Sequence, residues 1–196
     1  MHSLDERAEM AVQDRRVRRT QNLLAKALIA LTLEKGYEAV TIRDITERAN
    51  VGYATFFRHY RDKDALLQDV LEVVLEELMS LLQPPSSDAD PATIGTLVFR
   101  YVQTHSEICR VLLSSRGSAS LVQRILAAGV QSVLQQHQPL AGSPVPVEIA
   151  AYHLVAATLA LIQWWLEHQM PYSPEQMGII YRELIFRPTS AVAFSP

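Results

Sequence analysis

Residues 41–67, TIRDITERANVGYATFFRHYRDKDALL, restrict what this chain can fold into more than any other stretch. Thr41 and Asp44 form a T-x-x-D pattern in which the threonine oxygen can accept an otherwise orphaned helix N–H. Ile42, Ile45 and Ala49 recur at i, i+3 and i+7, a narrow apolar stripe on a helix of about two turns. Asn50 tolerates the left-handed conformation that ends such a helix, Val51 fits the angle between helices, and Gly52 opens the next segment. Residues 53–60 are aromatic-rich and edged by Arg58, His59 and Arg61. Two short helices crossing over a three- to four-residue turn make a helix-turn-helix, whose second helix can lie in the major groove of duplex DNA.

Charge is distributed to match. The net charge of −3 hides an asymmetry: residues 1–63 carry 12 Lys/Arg against 9 Asp/Glu, and residues 64–196 carry 6 against 12, with no lysine after Lys63. Within residues 15–63 the balance is 11 against 5. A basic N-terminal third on an acidic remainder fits one polyanion-binding module joined to a body with another purpose. At 196 residues and 48% hydrophobic content the chain can fill one or two small cores. The single cysteine, Cys109, excludes an intrachain disulfide and suits a reducing cytoplasm; in its apolar run it reads as a small buried hydrophobe. The first 14 residues lack the basic start and apolar stretch of a signal peptide and read as a frayed arm. Residues 149–166, IAAYHLVAATLALIQWWL, reach the short limit for a membrane span. They contain His153, Thr158 and Gln163, are bounded by Glu148 and Glu167, and have no Lys/Arg flank. Burial between a core and a partner subunit is the simpler reading.

Residue types and spacing agree over a longer stretch. Arg18-Arg19-Thr20, Ala27, Gly36-Tyr37, Thr41-Ile42, Asp44-Ile45, Ala49-Asn50-Val51, Ala54-Thr55-Phe56-Phe57, His59-Tyr60, Lys63 and Leu66 together resemble the DNA-binding domain of TetR-family (TetR/AcrR-like) transcriptional regulators. The resemblance spans residues 15–67, about a quarter of the chain. It implies a homodimer that binds a palindromic operator in double-stranded DNA and releases it when a small apolar effector enters the C-terminal domain. Repression is the family's commoner outcome, and the implied setting is the bacterial cytoplasm, at the nucleoid. No cofactor is implied.

The expected fold is all-α, with about nine helices: an N-terminal three-helix helix-turn-helix domain and a C-terminal helical ligand-binding and dimerisation domain. The expected divisions are a flexible arm over 1–14, the DNA-binding domain over 15–63, the body over 64–187 and a disordered tail over 188–196. Residues 17–35 form the first helix, with Leu24, Ala27, Leu28 and Leu31 on one face and Gly36 as its stop. Asp62 caps a long helix carrying Leu66, Leu67, Val70, Leu71, Val74, Leu78 and Leu82, which runs to the break at Pro84-Pro85-Ser86-Ser87. Asp90-Pro91 is an N-cap followed by proline at N1. A shorter helix follows Ser106, an amphipathic one covers 118–137, a loop covers 139–146, and a long apolar helix covers 147–169. Ser173-Pro174 with Gln176 opens a last helix ending near Phe186.

Phosphate neutralisation supplies most non-specific DNA affinity, and base edges supply preference. Tyr53, Ala54 and Thr55 form the first turn of the recognition helix, where side chains best reach the groove floor: Tyr53 for a base edge or phosphate, Ala54 for a thymine methyl. Thr55 and His59 lie four apart on one face, and the resemblance supports phosphate contacts from both and from Lys63. The alternatives are back-bonding for Thr55 and an interhelix hydrogen bond for His59. Arg43 should face the backbone or an outer base. Arg18 and Arg19, within the cationic run that starts at Arg15, could grip phosphate or an adjacent minor groove. Thr41 belongs to the same front. Phe56 and Tyr60 read as core anchors. Phe57 stands where the family usually has a tyrosine, which puts one phosphate contact in doubt.

The body holds no catalytic signature and no metal-binding cluster, so neither catalytic nor metal residues are expected. Tyr101, His105, Tyr152 and Trp164 are the candidates to line an effector pocket. Leu159, Ile162, Trp165 and Ile180 are the candidates for a dimer interface, because helices 147–169 and 173–187 resemble the pair that forms a four-helix interface in the family. Two other classes stay open: a helical enzyme with an accessory basic module, or a protein-interaction module whose helix-turn-helix no longer binds DNA.

Overall fold

A computed structural model describes residues 2–81, 90–114 and 119–195. Helices account for nearly all of it, with no strand among the described residues beyond one isolated bridge between Pro139 and Phe194. The chain divides into two compact units, Met1–Val73 and Val74–Pro196. That boundary lies ten residues beyond the expected division at 63/64, inside a helix, because the long helix begins in one unit and ends in the other.

The first unit contains α1 (His2–Lys35), a 3-10 turn (Tyr37–Ala39), α2 (Ile42–Ala49), α3 (Tyr53–Phe56) and the start of α4 (Lys63–Leu81). α1 begins well before the expected start at residue 17. Residues 2–14, anticipated as a frayed arm, are helical, and no glycine or proline interrupts them. Gly36 ends α1 at φ 79°, a conformation that glycine adopts without strain. Thr41 and Asp44 form the full capping box, and Asn50 closes α2 in the left-handed region at φ 51°. Asp62 accepts the Ala65 N–H at 2.7 Å and so caps α4. Leu24, Leu28, Ile45, Phe56 and Leu66 are fully buried. Two ties join α1 to α2: Lys35 to Asp44 at 2.8 Å, and Arg48 to both carboxylate oxygens of Glu34 at 2.8 and 2.7 Å.

The second unit holds the end of α4, then α5 (Pro91–Thr104), α6 (Ser106–Ser114), α7 (Ala119–Gln136), α8 (Val147–Glu167), α9 (Pro174–Tyr181) and α10 (Arg187–Ala193). The proline-serine break at 84–87 and Leu82 lie outside the described residues. Asp90 caps α5 through the Ala92 N–H, with Pro91 in the first turn, and Ser173 with Gln176 forms a second capping box. Phe99, Trp165 and Met177 are fully buried at the centre, with Trp165 edge-on to Phe99 at 5.2 Å. α8 is long and apolar enough to cross a membrane by length and composition, yet Ala150, Ala151, Leu154, Ile162, Trp165 and Leu166 pack inside this unit.

The C-terminal segment departs from expectation. α9 runs through a π-helical turn, Arg182–Phe186, directly into α10, so the rod continues past Pro188. A π turn widens the hydrogen-bond register, which accommodates a residue with no N–H in an unbroken helix. With this rod counted once, nine helices are present among the described residues. The tail expected to be disordered from Pro188 is helical to Ala193, with Thr189, Ala193 and Phe194 buried. Hydrogen bonds from Leu140 N–H to the Ala193 carbonyl and from Ser195 N–H to the Gln138 carbonyl, both 2.9 Å, hold it down.

Candidate functional site

The first candidate site is the outer face of α2 and α3. α3 is only four residues long, with Phe56 fully buried and packed against Tyr60 at 5.8 Å between ring centres. This anchoring leaves the opposite side of the segment exposed. Tyr53 and Ala54 are exposed there, with Tyr53 edge-on to Phe57 at 5.3 Å. Phe57 itself is 47% exposed, so it is only partly a packing residue. The Thr55 hydroxyl makes no hydrogen bond among the described residues, so the expected competitor, back-bonding to its own helix, does not occupy it. His59 forms no interhelix hydrogen bond either; its ring lies only beside Tyr60, at 6.3 Å. Arg43 is exposed and sits 3.7 Å from Glu47, a solvent-screened pair of little energetic consequence. Arg18 and Arg19 are exposed on α1.

Thr41 and Lys63 are engaged inside the fold. The Thr41 hydroxyl donates to Asp44 Oδ2 at 2.6 Å while its oxygen accepts the Asp44 N–H at 3.2 Å. Lys35, and secondarily Thr41, hold the Asp44 carboxyl well below the usual carboxylate range. Lys63 Nζ donates to the Tyr37 carbonyl at 2.9 Å and to the Val40 carbonyl at 3.1 Å, and lies 4.4 Å above the Tyr37 ring. Two of its three N–H donors therefore close the turn before α2. Tyr37 also donates to Asp64, and burial with that carboxylate pushes its phenol upward. Arg48 ties α2 to α1 through Glu34.

The second candidate site is a cavity of about 130 Å³ inside the second unit. Its wall includes Leu78, Ile94, Val98, Val133, Leu159 and Phe186, and none of the four residues expected to line a pocket borders it. Tyr101 is buried but points its hydroxyl at Glu77, 2.8 Å away, and His105 packs on its ring at 4.4 Å. Tyr152 and Trp164 are exposed, Trp164 stacking on His168 at 4.4 Å. Two of the four interface candidates lie in the core. Ile162 and Trp165 are core residues, Trp165 donating its indole N–H to the Tyr172 carbonyl at 3.0 Å. Leu159 borders the cavity and Ile180 is half-buried. The apolar side chains left exposed on these helices are Ile149, Tyr152 and Trp164 of α8, Ile179 of α9, Leu184 of the π turn and Val192 of α10. Aromatic side chains drew attention in the sequence, whereas Gly95, Gly129 and Gly178, set in apolar helices, were the better signal. A Cβ on Gly95 would stand 2.7 Å from the Tyr181 ring and one on Gly129 2.8 Å from Val155, marking where helices approach most closely around the cavity.

An exposed, basic-edged helix-turn-helix in a chain whose second unit is all-helical defines a class, that of DNA-binding transcriptional regulators. Comparison with known proteins agrees. Residues 24–70 match the family described as bacterial regulatory proteins, tetR family, and residues 91–187 match a transcriptional regulator C-terminal region. The chain is 41% identical over 75 residues to the uncharacterized HTH-type transcriptional regulator YxbF of Bacillus subtilis, covering 38% of this chain and 20% of that one. It is 31% identical over 134 residues to the HTH-type transcriptional repressor Rv3405c of Mycobacterium tuberculosis, covering 68% of this chain and 66% of that one. The chain spans between a fifth and about half of the length of three of the curated relatives it matches, YxbF among them. A TetR transcriptional regulator from Streptococcus agalactiae shares the fold at a TM-score of 0.68 and 20% identity, over 90% of this chain and 98% of that one. The chain belongs to the TetR family of transcriptional regulators.

Proposed function

We propose that this chain is a ligand-responsive repressor that binds a palindromic operator as a homodimer and leaves it when an apolar effector occupies the second unit. The observation that carries the DNA-binding half is the pair Thr55 and His59, whose polar groups have no hydrogen-bond partner among the described residues beside the exposed Tyr53 and Ala54. A helix presenting small and polar groups outward, within a segment carrying 11 Lys/Arg against 5 Asp/Glu, suits phosphate contact with a few base edges. Arg43 and the α1 arginines Arg18 and Arg19 extend that front. Lys63 and Thr41 act through the fold, by setting the start of α4 and of α2. The setting is the cytoplasm, at the nucleoid.

Dimerisation uses the exposed Ile149, Tyr152, Trp164, Ile179 and Leu184 in place of Ile162 and Trp165, which the core already occupies. Two recognition helices about 34–36 Å apart then meet successive major grooves on one face of the duplex. An effector that favours another body shape shifts the population away from the bound spacing. α4, with residues in both units, is the covalent link between them.

The test is fluorescence anisotropy on the duplex upstream of the chain's own gene, with wild type and Thr55→Ala/His59→Ala, across a salt series. The double variant should bind all sequences more weakly and lower the salt slope, and Tyr53→Ala should relax preference at one or two base positions. Unchanged affinity in the double variant refutes the phosphate assignment. Absence of any duplex binding by the wild type would make the chain an interaction module.

A further inference from the structure

One of the polar side chains that border the cavity in the second unit makes no hydrogen bond among the described residues. Five polar side chains border it: Ser132, Gln136, His137, Thr158 and Tyr181. Four are already bonded within their own helices. Gln136 Nε2 donates to Ser132 Oγ at 3.0 Å, Thr158 Oγ1 donates to the Leu154 carbonyl at 2.7 Å, and His137 Nδ1 lies 3.2 Å from the Val133 carbonyl. The fifth, Tyr181, is only 7% exposed, and its hydroxyl makes no hydrogen bond among the described residues. Burial pushes its phenol up to about 12, with no nearby charge or hydrogen bond contributing. Among the described residues only Thr32 Oγ1 is a fully enclosed side-chain oxygen without a partner, so the Tyr181 oxygen keeps accessible surface and can take a partner that enters from outside the fold.

The position of this hydroxyl is also enforced. The Tyr181 ring packs directly on Gly95 of α5, where an added Cβ would stand 2.7 Å from its Cδ1 and 3.2 Å from its Cβ, so the ring has no room to turn toward α5. The rest of the wall excludes charge: no Asp, Glu, Lys or Arg borders the cavity among the described residues. A carbonyl can only accept, so the contact with the Val133 carbonyl places a proton on His137 Nδ1. An anion meets there no lysine or arginine among the described residues. The cavity, about 130 Å³, is close to the roughly 150 Å³ of an apolar protein cavity that takes up benzene.

From these features we infer that the effector is an uncharged, single-ring or comparably short apolar molecule with a ketone, ester or ether oxygen, which accepts its hydrogen bond from the Tyr181 hydroxyl. This rests on the ligand-responsive reading above and gives that ligand its chemical class. Anionic ligands of the same size are disfavoured by a wall without lysine or arginine, and pure hydrocarbons bind more weakly because the Tyr181 hydroxyl gains no partner from them.

Three probes of nearly equal size separate these possibilities: acetophenone, with an acceptor oxygen and no charge; ethylbenzene, with neither; and benzoate, with a charge. Their binding to the full chain is measured by isothermal titration calorimetry without DNA. The expected order is acetophenone over ethylbenzene by about three- to tenfold, the span of one neutral hydrogen bond, with no detectable benzoate binding. Tyr181→Phe should reduce acetophenone affinity to that of ethylbenzene and leave ethylbenzene unchanged, while the melting temperature of the free protein holds because no hydrogen bond within the fold is lost. Val133→Phe, which fills the cavity, should abolish binding of both neutral probes. The inference is overturned if benzoate binds as well as acetophenone, if wild type does not distinguish acetophenone from ethylbenzene, or if a folded Tyr181→Phe protein keeps full acetophenone affinity. Duplex binding measured separately keeps the two readings apart. Acetophenone bound in the cavity with no effect on duplex affinity defeats ligand-dependent release alone, and duplex binding with no probe bound defeats the cavity assignment alone.

Discussion

Gly178→Ala should destabilise the protein, although the same change on an exposed helix would stabilise it. Alanine in place of glycine inside a helix contributes about 1 kcal/mol through propensity. At Gly178 a Cβ would stand 2.3 Å from Thr96 Oγ1, 2.5 Å from the Ala92 carbonyl oxygen and 2.8 Å from the Thr96 nitrogen. The hydroxyl could rotate away, but the other two atoms are backbone of α5. Restoring an ordinary 3.4 Å contact requires α5 and α9 to separate by about 0.6–0.9 Å. A gap of that size forfeits roughly a quarter to a half of each dispersion contact along the crossing. Overpacking against backbone costs up to about 3 kcal/mol, so the net loss is about 2 kcal/mol, or roughly 4–8 °C in melting temperature. Urea unfolding followed by circular dichroism at 222 nm, at fixed protein concentration, reads it. The same movement would shift Gly95 from the Tyr181 ring, so probe affinity in the cavity should fall along with stability. A midpoint at or above wild type would refute the close crossing of α5 and α9 and the placement of Tyr181 with it.

Lys63→Met should cost about 2 kcal/mol of stability, because two charge-assisted hydrogen bonds to the Tyr37 and Val40 carbonyls are lost, and should change the salt slope of DNA binding by less than one; unchanged stability with a slope reduced by about one would instead put its ammonium on phosphate. Tyr152→Glu combined with Leu184→Glu should yield a folded monomer in sedimentation velocity, because both side chains are exposed on the protomer, whereas Trp165→Glu should unfold the chain; a persistent dimer in the double variant would move the interface elsewhere. Burial pushes the Cys109 thiol up to about 11 from an ordinary 9, so below pH 9 iodoacetamide should alkylate the native protein about 100-fold more slowly than the unfolded chain. The folded thiol keeps its proton between pH 9 and 11 where the unfolded one has lost it, so this group's contribution to stability declines across that window as pH rises; equal alkylation rates would mean that Cys109 is accessible.

The readable parts of this chain were those governed by neighbours along the sequence. Capping boxes at Thr41 and Ser173, the left-handed Asn50, the stop at Gly36 and the Asp90-Pro91 start each depend on a few adjacent residues, and all occur as the residue types require. The helix-turn-helix was readable for the same reason, as was the inward placement of Phe56. Tertiary structure decided the roles of residues whose partners are distant in the chain. Lys63 was assigned to phosphate, but its ammonium closes a turn 23 to 26 residues away. Trp165 and Trp164 are adjacent and chemically alike, yet one is fully buried and the other 40% exposed, a difference set by which face of α8 meets Phe99. Pro188 signalled the end of a helix, but a π turn and hydrogen bonds to the loop around Gln138 and Leu140 carried the rod past it. Local patterns determine where helices begin, end and turn their apolar stripes. Which polar side chain borders a cavity without a hydrogen bond of its own, as Tyr181 does, depends on how the helices pack, and no stretch of sequence carries that information alone.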